Sequence, residues 1–114
     1  MPYIEAKLSC KLTSEKTEAL KCGFGKAIEC IPGKSETWLM VNIEDEKNLY
    51  FKGNKDCDTA FVSVSIFGKA DANSYSALTG EICTLISNVT GISPDRTYVT
   101  YSEYDKWGWN GFNF

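Results

Sequence analysis

Histidine is absent from this chain of 114 residues, so the side chain that most often transfers protons near neutral pH is missing. Its absence excludes the Ser-His-Asp and Cys-His arrangements of nucleophilic enzymes. It also argues against a metal site, because the 5 cysteines are never spaced C-x-x-C and have no histidine to complete a zinc ligand set. An acid–base enzyme built on this sequence must therefore use another group that titrates near neutrality.

Long apolar runs and clusters of one charge are also missing. No stretch of about 18 apolar residues is present, so we expect no contact with a membrane interior. The 12 basic residues are scattered and the net charge is −3, so we expect no nucleic-acid partner. The segment Met1–Glu5 has neither the basic nor the apolar region of a signal peptide. Together with the odd number of cysteines, this predicts free thiols in a cytoplasmic protein, or in one secreted without a signal peptide.

Length and composition predict a single globular domain over residues 1–114. Apolar residues make up 43% of the chain and charged residues 24%, a balance typical of folded proteins. A chain of this size buries only a modest core, so association between copies would add useful burial.

The first half of the chain has the apolar pattern of a β-α-β unit. Residues 2–8 alternate apolar and polar, which predicts a half-buried strand. Residues 14–31 carry an apolar stripe at helical spacing, with Ser14 as the expected N-cap. Residues 38–43 are a continuous β-prone run, and residues 44–57 are predicted to form a loop with a brief edge strand around Tyr50.

The second half repeats this order. Residues 59–67 are predicted to be a strand, residues 72–89 a helix that ends at Gly91, and residues 96–101 a second strand. Two such units share one four-stranded sheet with both helices on one face, which is an α/β (α+β) fold. The strands WLMVNI and FVSVSIF have no clean polar side, so we expect an apolar open face and hence an oligomer.

Pro2 is the first residue that could supply the missing base. Removal of Met1 would leave a free secondary amine, and an α-amino group titrates much nearer neutrality than a lysine side chain. While Met1 is attached, the Pro2 nitrogen is part of an amide and cannot act as a base. The structural alternative is that Pro2 only opens an edge strand, which composition by itself favours.

Lys34 and the aromatic tail could complete a pocket around that amine. Lys34 precedes a predicted strand, where it would bind an anion and lower the pKa of a neighbouring amine. The alternative is a solvated loop lysine. The tail, residues 106–114, is rich in Trp and Phe, and would either pack in the core or form a pocket wall for an aromatic substrate.

Several motifs together resemble the family of macrophage migration inhibitory factor and D-dopachrome tautomerase. They are Met1-Pro2, Ser65-Ile66, the Asn-Ser-Tyr-Ser at 73–76, the Ile-Ser-Pro-Asp-Arg at 92–96 and the Gly-Trp-Asn at 108–110. The resemblance covers the whole chain. It implies a homotrimer with active sites between adjacent subunits, and a keto–enol tautomerase without metal or organic cofactor. The implied substrates are phenylpyruvate-like aromatic 2-keto acids, with dopachrome-type compounds as a second class.

The resemblance also implies a role for each matching residue. Pro2 looks like the general base, and Lys34 with the backbone N–H of Ile66 looks like the carboxylate-binding pair. The remaining pocket residues that it implies are Ser65, Trp38, Trp109, Phe114, Thr100 and, from the neighbouring subunit, Tyr98.

Three positions depart from the family pattern. Cys57 is followed three residues later by Ala60, so the family's C-x-x-C is lost and we expect no thiol–disulfide activity. Thr100 replaces an asparagine, which weakens the expected preference for a hydroxylated ring. Trp107 replaces a smaller residue at the pocket mouth, where it would narrow the site.

Three kinds of function remain open at this stage. The first is an isomerase of the tautomerase type, an intramolecular oxidoreductase. The second is a cytokine-like binding protein that acts on a host receptor through its surface and has a vestigial pocket. The third is a structural trimer. The joint presence of Pro2 and Lys34 favours the enzyme.

Overall fold

The computed structural model describes residues 1–114 and contains both predicted β-α-β units. The first unit comprises β1 (Pro2–Leu8), α1 (Ser14–Ala27) and β2 (Met40–Glu44). The second comprises β3 (Ala60–Phe67), α2 (Ala72–Thr90) and β4 (Thr97–Tyr104), and a hairpin of β5 (Gly108–Trp109) and β6 (Phe112–Asn113) follows it. Neither helix is long and apolar enough to cross a membrane.

The four long strands form one sheet in the order β2-β1-β3-β4. Within each unit the two strands are parallel, and the units meet where β1 pairs antiparallel with β3. Both helices cover the same face, since parallel strands need a crossover and right-handed crossovers bring the helices to one side. The predicted fold, a four-stranded sheet with two helices on one face, is confirmed.

The core lies between this face and the two helices. It consists of 16 buried apolar residues, drawn from alternate positions of the strands and from one stripe of each helix. The predicted stripes are confirmed. The first stripe, on α1 and the residues that follow it up to Ile31, is buried, and the second, on α2, is buried or packed against the core. The largest of these buried side chains is that of Phe24.

The helix ends differ in detail from the sequence prediction. The N-cap of α1 is Thr13, not Ser14, because Thr13 has the extended backbone of a cap and its hydroxyl accepts a hydrogen bond from the Lys16 N–H. The α-helix ends at Ala27. A single 3-10 turn, Ile28–Cys30, follows it and occupies most of the remainder of the helix predicted over residues 14–31. Gly91 ends α2 with a φ of +80°, as its position after the helical stripe predicts.

Three strand predictions also need correction. A 3-10 turn, Glu36–Trp38, occupies the start of the predicted second strand, so β2 begins only at Met40. The expected edge strand in the 44–57 loop is reduced to one bridge, between Phe51 and Asn54. β4 continues to Tyr104, three residues beyond the predicted end.

The open face of the sheet is mixed in character, and the prediction of an apolar face was wrong. In β3 the period of two sends Val62 and Val64 towards the helices, while Ser63 and Ser65 face outwards. Their neighbours on the same face are small, polar or aromatic: Tyr3, Glu5 and Lys7 on β1, Asn42 on β2, and Tyr98, Thr100 and Ser102 on β4. The open face therefore has a small, polar centre with larger side chains towards its ends.

Candidate active site

A pocket of about 730 Å³ opens where β1 begins. It is lined by the N-terminus, by the segment that leads into β2, by Ser65 of β3, and by Tyr104 and the residues from Lys106 to Trp109. A volume of this order is in the range of ligand-binding sites. The pocket thus joins both β-α-β units and the C-terminal tail at one end of the sheet.

Pro2 lies in the wall of this pocket and is buried. Strand pairing explains its position, because Pro2 on β1 pairs with Ile66 near the end of β3. Met1 precedes it, and the Met1 carbonyl accepts a hydrogen bond of 3.0 Å from the Phe67 N–H. In this form the Pro2 nitrogen is an amide nitrogen, so its use as a base requires the removal of Met1.

Lys34 lies beside the N-terminus, close to the pocket but not in its lining. A turn in which the Lys34 N–H donates to the Ile31 carbonyl brings it there, and its Nζ donates to the Phe67 carbonyl at 2.9 Å. Burial lowers the pKa of the Met1 α-amino group below its ordinary value, and the nearby Lys34 ammonium lowers that pKa further. An ammonium has three donors, so the Lys34 side chain can bind an anion as well as the Phe67 carbonyl.

Trp38 and Trp109 form one aromatic wall. Their rings meet edge to face with centroids 5.2 Å apart. Trp38 is delivered by the 3-10 turn before β2, and Trp109 by the C-terminal hairpin. Both remain about half exposed, which leaves ring surface available to a ligand.

Trp107 and Tyr104 contribute a second aromatic pair to the lining. Their centroids are 5.9 Å apart in an edge-to-face arrangement. Trp107 therefore lies in the pocket, as predicted, and it lies against Tyr104, which the sequence prediction had left outside β4 and outside the site.

The hairpin that carries Trp109 depends on a tight turn. Asn110 and Gly111 both have positive φ, 53° and 84°, as a two-residue turn of type I′ requires. The Asn-Gly pair between aromatic residues is a strong hairpin signal, and it could have predicted β5 and β6 from the sequence.

Five of the predicted site residues do not line the pocket, and one of them is Lys34, which lies just beside the N-terminus. The Ile66 side chain is buried in the core, and only its backbone pairing with Pro2 ties it to the site. Phe114 packs behind Trp109 with ring centroids 6.4 Å apart. Tyr98 and Thr100 lie exposed on the open face, on the part of β4 that pairs with the middle and far end of β3.

The sequence prediction also missed several lining residues. Tyr3 and Met40 are register partners on β1 and β2 and face the pocket from the open side of the sheet. Lys106 lines it next to Trp107. A longer β4 would have pointed to Tyr104, but no sequence pattern singled out Met40 or Lys106.

The lining contains no carboxylate, although the chain has 15 acidic residues. Its charged groups are the Met1 ammonium and Lys106, with Lys34 directly beside the N-terminus. In an acidic protein, this arrangement makes the pocket a local attractor for anions.

This β-α-β repeat, with a pocket where its first strand begins, is the fold of the tautomerase superfamily. The family model of macrophage migration inhibitory factor (MIF) matches residues 1–114. The macrophage migration inhibitory factor of Rattus norvegicus is 33% identical over 86 residues, which are 72% of this chain and 72% of that protein. The chain therefore belongs to the MIF family.

Solved structures agree with this assignment. The crystal structure of Leishmania major MIF2 has a TM-score of 0.92 and 29% identity, and the match covers 100% of this chain and 97% of that one. A more distant structure, a fused 4-OT described as a wild-type symmetric trimer, shares the fold with a TM-score of 0.85. Its identity is 16% over 97% of this chain and 94% of that one, so this second likeness concerns the fold alone.

Proposed function

We propose that this protein is a keto–enol tautomerase for phenylpyruvate-like aromatic 2-keto acids, and that the Pro2 amine is its general base once Met1 has been removed. The observation that carries the proposal is the position of Pro2 in a pocket that has aromatic walls and no carboxylate, with Lys34 beside the N-terminus. Membership of the MIF family supports the same class of activity.

The surroundings of the N-terminus suit a base that works near neutral pH. An α-amino group has an ordinary pKa of about 8, and burial together with the Lys34 ammonium lowers the pKa of an amine at this place. The same two influences would act on a free Pro2 nitrogen. A lower pKa would increase the fraction of the amine that is unprotonated and able to accept a proton.

The reaction needs one base and one site for negative charge. The Pro2 nitrogen takes a proton from C3 of the 2-keto acid, and the electron pair of that C–H bond forms the C2–C3 double bond. The negative charge moves to the carbonyl oxygen, where the positive pocket stabilises it. The protonated amine then gives its proton to this oxygen, which completes the enol, and ketonisation follows the same path in reverse.

The pocket also suits the two ends of such a substrate. The Lys34 ammonium and the Ile66 N–H would hold the carboxylate, and the Trp38 and Trp109 rings would pack against the aromatic ring. Ser65 lines the same wall.

We further propose that three copies assemble through the open faces of their sheets. The small side chains at the centre of that face, Ser63, Thr100 and Ser102, allow another surface to approach closely. The fold also occurs in a fused 4-OT described as a symmetric trimer. Assembly would let Tyr98 and Thr100 of one subunit reach the pocket of the next, and this would account for their absence from the pocket of their own chain.

The decisive experiment measures phenylpyruvate ketonisation by ultraviolet absorbance, with intact mass establishing whether Met1 is present. We expect the processed protein to be active. Pro2→Gly, and wild-type protein produced with methionine aminopeptidase inhibited, should lose at least about a hundredfold in kcat/KM, since each lacks the proline amine. Turnover by the processed protein no faster than by these two controls would contradict the proposal and favour a binding protein that acts through its surface.

A pH profile tests the part assigned to Lys34. Lys34→Gln removes a positive charge beside the amine, so the pKa of Pro2 should rise and the acidic limb of kcat should move to higher pH. Lys16→Gln, which changes an exposed lysine on α1, serves as the control and should leave the limb in place. An acidic limb that stays in place in Lys34→Gln would show that Lys34 does not tune the base.

A further inference from the structure

Three aromatic side chains cluster on the open face at the opposite end of β3 from Pro2. The Phe51 ring meets the Tyr98 ring edge to face with centroids 5.2 Å apart, and the Phe61 ring meets Tyr98 in the same way at 6.4 Å. Tyr98 pairs with Phe61 near the start of β3, whereas Pro2 pairs with Ile66 near its end. None of the three aromatic residues lines the pocket of its own chain.

Phe51 reaches this cluster from the loop between β2 and β3. Phe51 and Asn54 exchange backbone hydrogen bonds of 2.8 and 3.2 Å. Lys52 and Gly53 between them have positive φ, 54° and 80°, as a type I′ turn requires. This turn joins the loop to itself and not to the sheet, so another group must hold the Phe51 ring in place.

Arg96 is that group. Its guanidinium carbon lies 5.3 Å from the centroid of the Phe51 ring, a distance at which a cation is attracted to the ring face. Its Nε donates to the Asp58 carbonyl at 3.2 Å and to the Thr59 hydroxyl at 3.1 Å. Thr59 is buried, and its N–H donates to the Ser9 hydroxyl at 2.8 Å. The guanidinium is thus anchored just before β3 while it packs against Phe51.

We infer that Arg96 is a positioning residue: by holding Phe51 against Tyr98, it fixes the ring that enters the pocket of the neighbouring subunit. The inference rests on the proposed function, which assigns Tyr98 of one subunit to the pocket of the next. Tyr98 is 57% exposed in the single chain, so its ring would be free to change rotamer without these contacts. Ordering the ring only when substrate binds would lower the affinity.

Arg96→Met tests this role, because it keeps an apolar stem and removes the guanidinium. KM for phenylpyruvate should rise about two- to tenfold, the size expected for a contact with one aromatic ring, and kcat should change little because Pro2 is untouched. Lys52→Gln is the matched control, since the exposed Lys52 also has its Nζ over the Phe51 ring, at 5.7 Å. An unchanged KM in Arg96→Met, or an equal rise in Lys52→Gln, would overturn the inference.

A second pair of variants covers the case in which Arg96→Met folds poorly. Phe51→Leu removes the ring between Arg96 and Tyr98 and leaves the hydrogen bonds of Arg96 in place. It should raise KM as Arg96→Met does, whereas Phe51→Tyr keeps a ring and should not. A wild-type KM in Phe51→Leu would contradict the inference.

Mixed trimers test whether Arg96 acts on the neighbouring pocket. Arg96→Met chains are co-expressed with an excess of Pro2→Gly chains, and native mass spectrometry verifies that the chains mix. Only the Arg96→Met chains carry the Pro2 amine, and most of their pockets then receive Tyr98 from a chain with an intact Arg96. KM should return to the wild-type value, which a loss of stability within one chain would not produce. A KM that stays raised would overturn the inference.

A spectroscopic measurement separates this inference from the proposed function. The NMR resonances of the Tyr98 ring, assigned through Tyr98→Phe in protein with labelled tyrosine, report its surroundings without any need for turnover. Arg96→Met should shift and broaden them, and Lys52→Gln should not. That result would support the positioning role even if the wild-type protein has no turnover, in which case only the proposed function fails. Unchanged resonances in Arg96→Met would contradict the inference whether or not turnover occurs.

Discussion

The two faces of the sheet differ in burial and in the type of side chain they carry. On the helix side, alternate residues such as Ile4, Val62 and Val64 are almost completely excluded from water and belong to one continuous core. On the open side, Ser63 and its neighbours are small or polar, and large side chains such as Tyr98 remain 57% exposed. The same strands build both faces, so the difference arises from the period of two along each strand.

This contrast separates what specifies the fold from what serves function. On the helix side, the apolar residues of the sheet pack against the apolar stripes of α1 and α2. A single chain therefore completes this core by itself. The open side leaves large aromatic groups such as Tyr98 exposed, and it leads to the pocket through Tyr3 and Met40. Substitutions on the two sides should therefore have different consequences.

The largest expected effect compares two phenylalanines across the sheet. Phe24→Ala empties a fully buried site and should cost about 3–5 kcal/mol in the free energy of unfolding. Phe61→Ala removes an open-face side chain that is 37% exposed, and should cost the single chain less than about 1 kcal/mol. Urea denaturation at several chain concentrations measures both.

Concentration dependence makes this comparison sharper. The cost of Phe24→Ala should be the same at every concentration, whereas the cost of Phe61→Ala should grow with concentration if the open face is an interface. Equal and constant costs for the two variants would mean that the open face is part of the single-chain core.

An intermediate effect is expected from two helix glycines, Gly23 at the contact between the helices and Gly80 on the exposed surface of α2. A Cβ at Gly23 would collide with the Leu85 side chain of α2, so Gly23→Ala overpacks the contact between the helices. Overpacking outweighs the gain in helix propensity, and the net cost should be about 1–2 kcal/mol. A Cβ at Gly80 meets nothing within 4 Å, so Gly80→Ala should stabilise the protein by up to about 1 kcal/mol.

Thermal unfolding measures this pair, with opposite signs expected for the two changes from glycine to alanine. Stabilisation by Gly23→Ala would show that α1 and α2 can separate at little cost. The helix side would then be less tightly specified than its burial suggests.

The smallest effect on folding should come from the centre of the open face. Ser63→Glu puts a second carboxylate opposite Glu5 on the neighbouring strand, and in an assembly it would also bring like charges together. We expect circular dichroism of the single chain to be unchanged, while sedimentation shows the loss of the trimer. Ser63→Ala is the matched control and should keep the trimer, and persistence of the trimer in Ser63→Glu would rule out assembly through this face.

Much of the fold follows from the sequence because hydrophobic periodicity specifies the helix side. The β-α-β order, the two stripes and the cap at Gly91 were predicted on that ground. The character of the open face was not, since a run such as FVSVSIF looks apolar until its alternate residues are divided between the two sides. Thr13 and Ser14 are adjacent residues of similar capping ability, and only the backbone conformation distinguishes them.

The site was predicted less completely than the fold. Pro2, Ser65 and the three tryptophans line the pocket as expected from the family resemblance. Met40, Tyr104 and Lys106 reach it through strand register and the path of the tail, which local patterns do not encode. Nothing in the sequence of a single chain shows how Tyr98 would meet a neighbouring pocket, because that depends on assembly.

The hydrogen bond between the Phe67 N–H and the Met1 carbonyl gives N-terminal processing a second consequence. Cleavage after Met1 takes away the acceptor of that bond at the same moment as it frees the Pro2 nitrogen. Phe67 would keep the hydrogen bond from Lys34 to its carbonyl but lose the partner of its N–H. Maturation would thus add a donor as well as a base beside the pocket, and a single proteolytic cut would alter both its basicity and its capacity to bind an anion.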